Sequence, residues 1–213
     1  MHTKVKICGL TRSEDARAAT RLGADYLGVI MYAKSPRCVQ DEDLEDLLFF
    51  IPDGRRVMVD VAIDCDVLRS RLDLGFDYYQ IHFDPSSTPL ETVRTWSEIV
   101  TPSRLWLAPR LKPEESFPEQ LLPFATTFLI DAYKEGAYGG TGVKGDWSFF
   151  KKLKGICKDK RLILAGGLNP ENAKDALTAT AAEVLDFNSG VETAPGLKDL
   201  SKMAAVIKTV HAQ

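Results

Sequence analysis

Short runs of apolar residues recur along the chain, and longer segments with helical spacing separate them. The runs are VKIC from Val5, YLGVI from Tyr26, RVMVDV from Arg56, YYQIH from Tyr78, RLWLA from Arg104, TTFLID from Thr126, LILAGG from Leu162 and EVLDF from Glu183. A separation of roughly 20 to 35 residues leaves room for one helix between successive strands of a parallel sheet. The pattern therefore predicts an α/β protein in which residues 1–213 form a single (β/α)8 TIM barrel.

Several helix boundaries are also predicted. Thr11 followed by Glu14 matches a capping box, and Asn169 before Pro170 matches a helix start with a capping side chain. The segment from Pro113 to Pro123 is crowded with prolines and acids, which predicts a short or distorted helix between the fifth and sixth strands.

Charge and composition narrow the class of partner. The net charge is -3 and the pI is near 5.7, so no basic field is present for nucleic acid, although a small anion can still be bound locally. No run of about 18 apolar residues occurs, and the first ten residues do not resemble a signal peptide. We therefore expect a cytoplasmic protein that does not contact membrane. We also expect a monomer, because no exposed apolar stripe is evident.

The cysteines and histidines do not form a metal-binding pattern. The 4 cysteines contain no CxxC pair, and the 3 histidines lie far apart in the sequence. The composition thus predicts free thiols and no metal site.

One stretch, from Thr126 to Trp147, combines an acid with a glycine-rich segment. An apolar run ends at Asp131, and four glycines follow within seven residues: Gly136, Gly139, Gly140 and Gly142. An acid at a strand end below a glycine-rich loop is typical of an active site closed by a mobile lid. An ordinary strand, turn and helix start would give the same pattern.

The first strand carries a candidate general base. Lys4, Lys6 and Cys8 alternate, so they share one face, and Lys6 is expected beneath the Cys8 thiol at the strand end. A nearby ammonium favours the thiolate and lowers the cysteine pKa towards neutrality. The alternative interpretation is that Cys8 is a small buried apolar residue.

Three further strand ends carry charged or polar candidates for substrate binding. Arg37, after the second strand, could bind a carboxylate in bidentate fashion. His82 ends the fourth strand and could contact a ligand or a polar rim. Asp186, on the eighth strand, could orient a substrate hydroxyl or neutralise Lys6.

The segments after the seventh and eighth strands contain glycines suited to phosphate. Loops at these two positions often bind phosphate in TIM barrels, because glycines expose backbone amides there. The candidate phosphate-binding residues are Gly166, Gly167, Asn188, Ser189 and Gly190.

Five motifs, read together, resemble the phosphoribosylanthranilate isomerase family. They are KICGLTR from Lys6, YAKSPR from Tyr32, DAYKEGAYGGTG from Asp131, LAGGLNPEN from Leu164 and SGVETAPGLKD from Ser189. The resemblance spans essentially the whole chain and implies a small (β/α)8 barrel. It also implies an Amadori rearrangement of N-(5-phosphoribosyl)anthranilate in tryptophan biosynthesis, without a cofactor.

The resemblance assigns roles to individual residues. Cys8 aligns with the family's general base and Asp131 with its general acid. Arg37 would bind the anthranilate carboxylate, and the loop containing Gly140 would close over the substrate. Gly166, Gly167, Ser189 and Gly190 would hold the phosphate, as would Asn188, which stands where the family usually has serine.

Two other departures from the family pattern lie near the same strand ends. Phe83 replaces a common glycine, and Pro109 lies in a fifth strand end that lacks the usual lysine. With Asn188, these changes are expected to crowd one side of the site and to affect the choice of aromatic substrate. Two alternatives stay open: a related aminoimidazole sugar-phosphate isomerase of histidine biosynthesis, and a catalytically silent phosphate-binding barrel.

Overall fold

The computed structural model describes residues 3–111, 115–131 and 147–212. Eight parallel strands close into a barrel in sequence order, as the apolar runs predict. The barrel strands are β1 (Lys4–Cys8), β2 (Tyr26–Ile30), β3 (Arg56–Val61), β4 (Tyr78–Phe83), β5 (Leu105–Pro109), β6 (Thr127–Asp131), β7 (Arg161–Ala165) and β8 (Val184–Phe187). The prediction of a single (β/α)8 barrel is therefore confirmed. We call the edge formed by the carboxyl ends of these strands the mouth.

Helices cover the outside of the barrel. Within the described ranges, they are α1 (Ser13–Leu22), α2 (Asp41–Phe49), α3 (Cys65–Ser70), α4 (Leu90–Val100), α5 (Ser148–Ile156), α6 (Ala173–Thr180) and α7 (Leu200–His211). A 3-10 helix (Glu119–Phe124) takes the helical position between β5 and β6, which agrees with the prediction of a short or distorted helix there. Within these ranges, no helix combines the length and the apolar character needed to cross a membrane.

After β8 the chain adds a small hairpin before the last helix. Ser189–Val191 form a 3-10 turn, and β9 (Glu192–Ala194) then pairs antiparallel with β10 (Leu197–Lys198). This hairpin lies against the start of α1, because the Thr11 hydroxyl donates to Gly196 O at 2.7 Å. It brings Glu192 and Lys198 close to the mouth.

Apolar side chains pack in two separate layers. Alternate residues of each strand face the helices or the barrel interior, so Val5 and Ile7 of β1 join the outer core while Cys8 joins the inner one. Inside the barrel, Tyr26, Tyr78 and Trp106 pack with ring centroids 5.0 to 5.6 Å apart. The barrel interior is therefore filled by side chains at this level.

The helix starts differ in part from the predicted caps. The capping box at Thr11 and Glu14 is wrong: α1 begins after Arg12, and no side chain caps it. Thr11 is already used by the hairpin contact, and the Arg12 guanidinium binds Asp15 instead. The start of α6 also differs: Asn169 Oδ1 accepts from the amides of Glu171 and Asn172 in the turn before the helix, but α6 itself begins at Ala173, after Asn172, without a side-chain cap.

Candidate active site

The mouth brings together residues that lie far apart in the sequence. Cys8, His82 and Asp131 each lie at or next to the end of a strand, and Asp186 lies one residue before the end of β8. Parallel strands in a closed barrel place all their carboxyl ends on one edge. The predicted acid, base and polar groups therefore share one face of the molecule.

Lys6 and Asp186 form a buried ion pair beneath this face. The register pairs Lys6 of β1 with Asp186 of β8, and Lys6 Nζ lies 3.0 and 3.1 Å from the two carboxylate oxygens. The Lys6 side chain is fully buried, so the pair compensates a charge that water does not reach. Of the two interpretations of Asp186, neutralisation of Lys6 is thus observed.

Gly28 makes room for Lys6 and the thiol. It lies opposite Cys8 in the β1–β2 register. A Cβ atom at Gly28 would lie 2.8 Å from Cys8 Sγ and 3.1 Å from Lys6 Nζ. Sequence reasoning did not single out this residue, although a glycine inside a strand often marks such a close approach.

The expected lowering of the Cys8 pKa is wrong for this structure. The thiol is buried, and burial raises the pKa of Cys8; Lys6 opposes this effect, and the negative charge of Asp186 adds to the rise. The net direction is upward. The sequence placed Lys6 correctly beneath the thiol, but it did not show that the ammonium is already paired with a carboxylate.

Asp131 ends β6 with its side chain exposed at the mouth. Although the side chain reaches solvent, nearby protein atoms desolvate its carboxyl group; this is the first cause that raises the pKa of Asp131, and the negative charge of Asp186 is the second. Arg110, which follows β5, acts in the opposite direction. A carboxyl group with a raised pKa holds a proton more readily, which suits a general acid.

His82 is held by a neighbour on its own strand. Its Nε2 lies 2.7 Å from Gln80 Nε2, so a neutral ring can accept a hydrogen bond from the Gln80 amide. Burial, followed by the positive charge of Lys6, lowers the pKa of His82 to about 4. The imidazole is consequently neutral at physiological pH.

Arg37 lies at the mouth and is bound to an acid that sequence reasoning did not select. Its Nε and Nη2 donate to Glu192 Oε1 and Oε2 at 2.9 and 2.7 Å. Glu192 also accepts from Lys198 Nζ at 2.8 Å. Burial raises the pKa of Glu192, but the hydrogen bonds from Arg37 and Lys198 outweigh it and hold the pKa below its ordinary value.

The two candidate phosphate loops contact each other. Gly166 and Gly167, after β7, both have positive φ, at 94° and 62°, which glycine adopts without steric cost. Gly190, after β8, lies so close to the other loop that a Cβ would stand 1.9 Å from Leu168 O. Ser189 lies beside it in the 3-10 turn with an exposed side chain.

Asn188 is engaged on one side by the hairpin. Its Oδ1 accepts from Lys198 Nζ at 3.1 Å, and its backbone oxygen lies 3.3 Å from the same nitrogen. The side chain also lies close to Gly9, where a Cβ would stand 2.6 Å from Asn188 Oδ1. Its oxygen is therefore already used, and only the amide nitrogen remains for a ligand such as a phosphate.

The expectation that Phe83 crowds the mouth is wrong. Its side chain packs in the outer core, with its ring 5.6 Å from that of Trp96 in α4. Pro109 lies beside Phe83 in the strand register and is buried. Each of the two residues lies an odd number of positions from the inward-facing residues of its own strand. Because successive side chains of a strand point to opposite faces, both side chains face the helix layer.

Gly140 and the other lid glycines lie outside the described residues. Among the described residues, no group of three or more His, Cys, Asp or Glu side chains could hold a metal ion.

Comparison with known proteins identifies a family. The model of the N-(5′-phosphoribosyl)anthranilate (PRA) isomerase family matches residues 5–209. The chain is 39% identical over 207 residues to an N-(5′-phosphoribosyl)anthranilate isomerase of Acinetobacter calcoaceticus, covering 93% of this chain and 92% of that protein.

Solved structures of similar proteins agree with this match. The phosphoribosyl anthranilate isomerase of Thermotoga maritima superimposes with a TM-score of 0.82 at 28% identity, covering 99% of this chain and 100% of the other. Monomers generated from the dimeric enzyme of the same organism give a TM-score of 0.79 at 28% identity and the same coverage. A phosphoribosyl anthranilate isomerase in complex with reduced 1-(o-carboxyphenylamino)-1-deoxyribulose 5-phosphate gives a TM-score of 0.77 at 27% identity, covering 99% of this chain and 100% of the other.

Proposed function

The chain belongs to the N-(5′-phosphoribosyl)anthranilate isomerase family, and on this premise we propose how its residues act on that substrate. The reaction is the Amadori rearrangement of N-(5′-phosphoribosyl)anthranilate to 1-(2-carboxyphenylamino)-1-deoxyribulose 5-phosphate in tryptophan biosynthesis. The observation that carries the proposal is the convergence of Cys8 and Asp131 on one mouth, where the charge of Asp186 acts on the pKa of both. The rearrangement requires an acid and a base that both reach the sugar.

The substrate is anchored at its two charged ends. Its phosphate binds at the loops containing Gly166, Gly167 and Gly190, with Ser189 and the Asn188 amide as further donors. Its anthranilate carboxylate binds Arg37, whose planar guanidinium suits a bidentate contact. His82, as a neutral ring, contacts the sugar or the aromatic part between these ends.

The first step opens the ribose ring. Protonated Asp131 donates its proton to the ring oxygen as the bond from that oxygen to C1 breaks. The electron pair of the anthranilate nitrogen forms a double bond to C1, which gives a cationic Schiff base. The raised pKa of Asp131 supports this step, because a larger fraction of the carboxyl group is protonated near neutral pH.

The second step moves the double bond. The Cys8 thiolate removes the proton from C2, and the electrons flow towards the iminium nitrogen to give an enolamine. Protonation at C1 and loss of the proton from the C2 hydroxyl then yield the ketone. Each proton donor and acceptor named here is a side chain or the substrate, so the two proposed steps use no cofactor.

The surroundings of Cys8 oppose the thiolate that the second step needs. Burial raises the pKa of Cys8, so the thiol keeps its proton near neutral pH. The reaction needs the proton on Asp131 and not on Cys8. Lys6 lowers the pKa of Cys8 and so increases the share of this form, whereas Asp186 raises the pKa of both groups, which favours the protonated acid but opposes the thiolate.

Substitution of the acid and the base tests the proposal. We expect Cys8→Ala and Asp131→Asn each to lower kcat by about 100- to 10,000-fold, since each removes one positioned proton transfer. Freshly generated N-(5′-phosphoribosyl)anthranilate is fluorescent, so its consumption can be followed directly. Both variants should fold and bind inorganic phosphate as the wild type does, because both residues lie at the mouth.

The same assay separates the alternatives. Wild-type turnover in either variant would contradict the assigned acid or base. Turnover of the aminoimidazole substrate of histidine biosynthesis, in place of the anthranilate, would favour the related isomerase. A wild-type protein that turns over neither substrate but binds phosphate would favour the silent barrel.

A further inference from the structure

The Arg37 guanidinium is bound along one edge only. Its Nε and Nη2 atoms donate to the two oxygens of Glu192, which uses the side edge of the planar group. Within the described ranges, no residue accepts a hydrogen bond from Nη1. The end edge, formed by Nη1 and the second N–H of Nη2, therefore keeps donors that no described residue uses, and their geometry matches a planar carboxylate.

Glu192 is itself held in place. Its side chain is 4% exposed, and its Oε1 accepts from Lys198 Nζ at 2.8 Å and from the Gly196 amide at 3.2 Å. The Lys198 side chain is fully buried. Because three separate groups donate to this carboxylate, it cannot change its orientation without leaving buried donors unpaired.

The stem of Arg37 lies beside the proposed base. A Cβ atom on Gly9 would stand 2.8 Å from Arg37 Cδ, and Gly9 directly follows Cys8. The side chain therefore passes over the backbone next to the thiol before it reaches Glu192. Its orientation thus sets where a bound carboxylate lies relative to Cys8.

We propose that Glu192 is a positioning residue that fixes the side edge of Arg37, so that the end edge receives the aromatic carboxylate of the substrate. The inference rests on the proposed function of the site and adds a residue to it. Glu192 contacts neither the substrate nor the reacting atoms. It acts through Arg37, and Lys198 acts in turn through Glu192.

The change in charge and the loss of orientation are expected to have opposite effects on carboxylate binding by Glu192→Gln. Arg37 and Lys198 carry two positive charges and Glu192 one negative charge, so the group has a net charge of +1. The substitution raises this charge to +2, which by attraction alone would strengthen the binding of a carboxylate. If orientation decides, the freed guanidinium samples other directions and binding weakens.

The test compares two ligands on the wild type and on Glu192→Gln. One ligand is reduced 1-(o-carboxyphenylamino)-1-deoxyribulose 5-phosphate, and the other is the same compound without its carboxyl group. We expect the Kd of the carboxylated ligand to rise about tenfold, and the Kd of the other to stay within about twofold. KM for the substrate should rise more than kcat falls.

Matched variants provide the controls. Glu183→Gln removes an exposed acid just before β8, at the opposite end of the barrel, and should change neither Kd. Glu192→Asp keeps the charge with a shorter side chain and should restore part of the affinity. In an Arg37→Gln background, Glu192→Gln should cause no further loss for the carboxylated ligand.

A measurement on the wild type does not depend on the folding of any variant. Nitrogen-15 NMR should show the Arg37 Nη1 resonance shifting when the carboxylated ligand is added, with a smaller shift at Nε. Equal shifts at both atoms would overturn the inference, as would unchanged or tighter binding by Glu192→Gln, or equal losses for both ligands. If the wild type lacks isomerase turnover but the ligand contrast persists, the proposed function fails and the positioning role stands.

Discussion

His82 provides a test at the scale of one residue, because its protonation is linked to folding. Its pKa is lowered to about 4 in the folded chain, against an ordinary value of 6.5. Between these values the unfolded chain binds a proton that the folded chain does not. Stability is therefore fully present above pH 6.5 and is lost progressively as the pH falls towards 4.

We expect a His82→Gln variant to lose less stability on acidification than the wild type. Between pH 7 and pH 5 the difference should be up to about 2 kcal/mol in the free energy of unfolding, measured with urea at both pH values. The carboxyl groups titrate in both proteins and cancel in the comparison. An equal loss in the two proteins, or a His82 imidazole that titrates near 6.5 by NMR, would contradict the linkage.

For single residues, the position along the strands could be predicted from the sequence, but the interaction partner could not. The positions of Cys8 and Asp131 at strand ends, and of Arg37 in the segment after β2, follow from period-two alternation and from the apolar runs. The partners of Arg37 and Lys6 do not, because Glu192 lies 155 residues from Arg37, and Asp186 lies 180 residues from Lys6. Pairing over such separations depends on how the barrel closes and on the β9–β10 hairpin, which was not predicted from the sequence.

Strand β2 carries a prediction at the scale of one element. Gly28 faces Cys8 and Lys6 inside the barrel, and a methyl group there would stand 2.8 Å from the thiol sulphur. We expect Gly28→Ala to lower kcat on the order of 100-fold, because a displacement of about 1 Å at a reacting group can cost that much. KM should change much less, since neither anchor of the substrate is touched.

Gly155 in α5 offers the matched control. A Cβ there would meet no heavy atom within 4 Å, so Gly155→Ala should leave kcat unchanged. Steady-state kinetics and the rate of Cys8 alkylation would be measured for both variants. Wild-type kinetics in folded Gly28→Ala would show that the thiol position is not set by this strand.

The strands could be predicted more reliably than the helix starts, and the reason is physical. Strands are recognised by buried apolar runs of fixed period, and the eight runs match the eight barrel strands. Helix caps depend on which donor a side chain finds. Thr11 matched a capping box, but its hydroxyl is used by the hairpin contact to Gly196, a residue 185 positions away. Asn169 has only local partners, and its Oδ1 does accept from two amides, although they belong to the turn before α6 and the helix starts at Ala173.

At the scale of the whole molecule, the closure of the barrel determines which residues can cooperate. The pairing of β1 with β8 brings Lys6 to Asp186, and it places the first motif of the chain beside the last. Barrel architecture could be inferred from the number and spacing of apolar runs. Which charges neutralise one another inside it could not, because several acids and cations occupy strand ends and the register selects among them.

The oligomeric state also belongs to the scale of the whole molecule, and we expect the chain to be a monomer. Large apolar side chains that are more than a third exposed are scattered over several elements of the described structure; the two most exposed are Phe49 in α2, at 80%, and Leu200 in α7, at 58%. Stable interfaces generally need a continuous, well-packed patch of about 800 Å² on each partner. Scattered exposed residues of this kind are normal for a monomer.

Sedimentation equilibrium over a wide range of concentrations would test the expectation. We expect a mass near 23.6 kDa throughout, with no dependence on concentration. Phe49→Ser and Leu200→Ser should leave that mass unchanged. A mass near twice this value in the micromolar range would contradict the prediction, and a return to the smaller mass in one of the two variants would identify the face that associates.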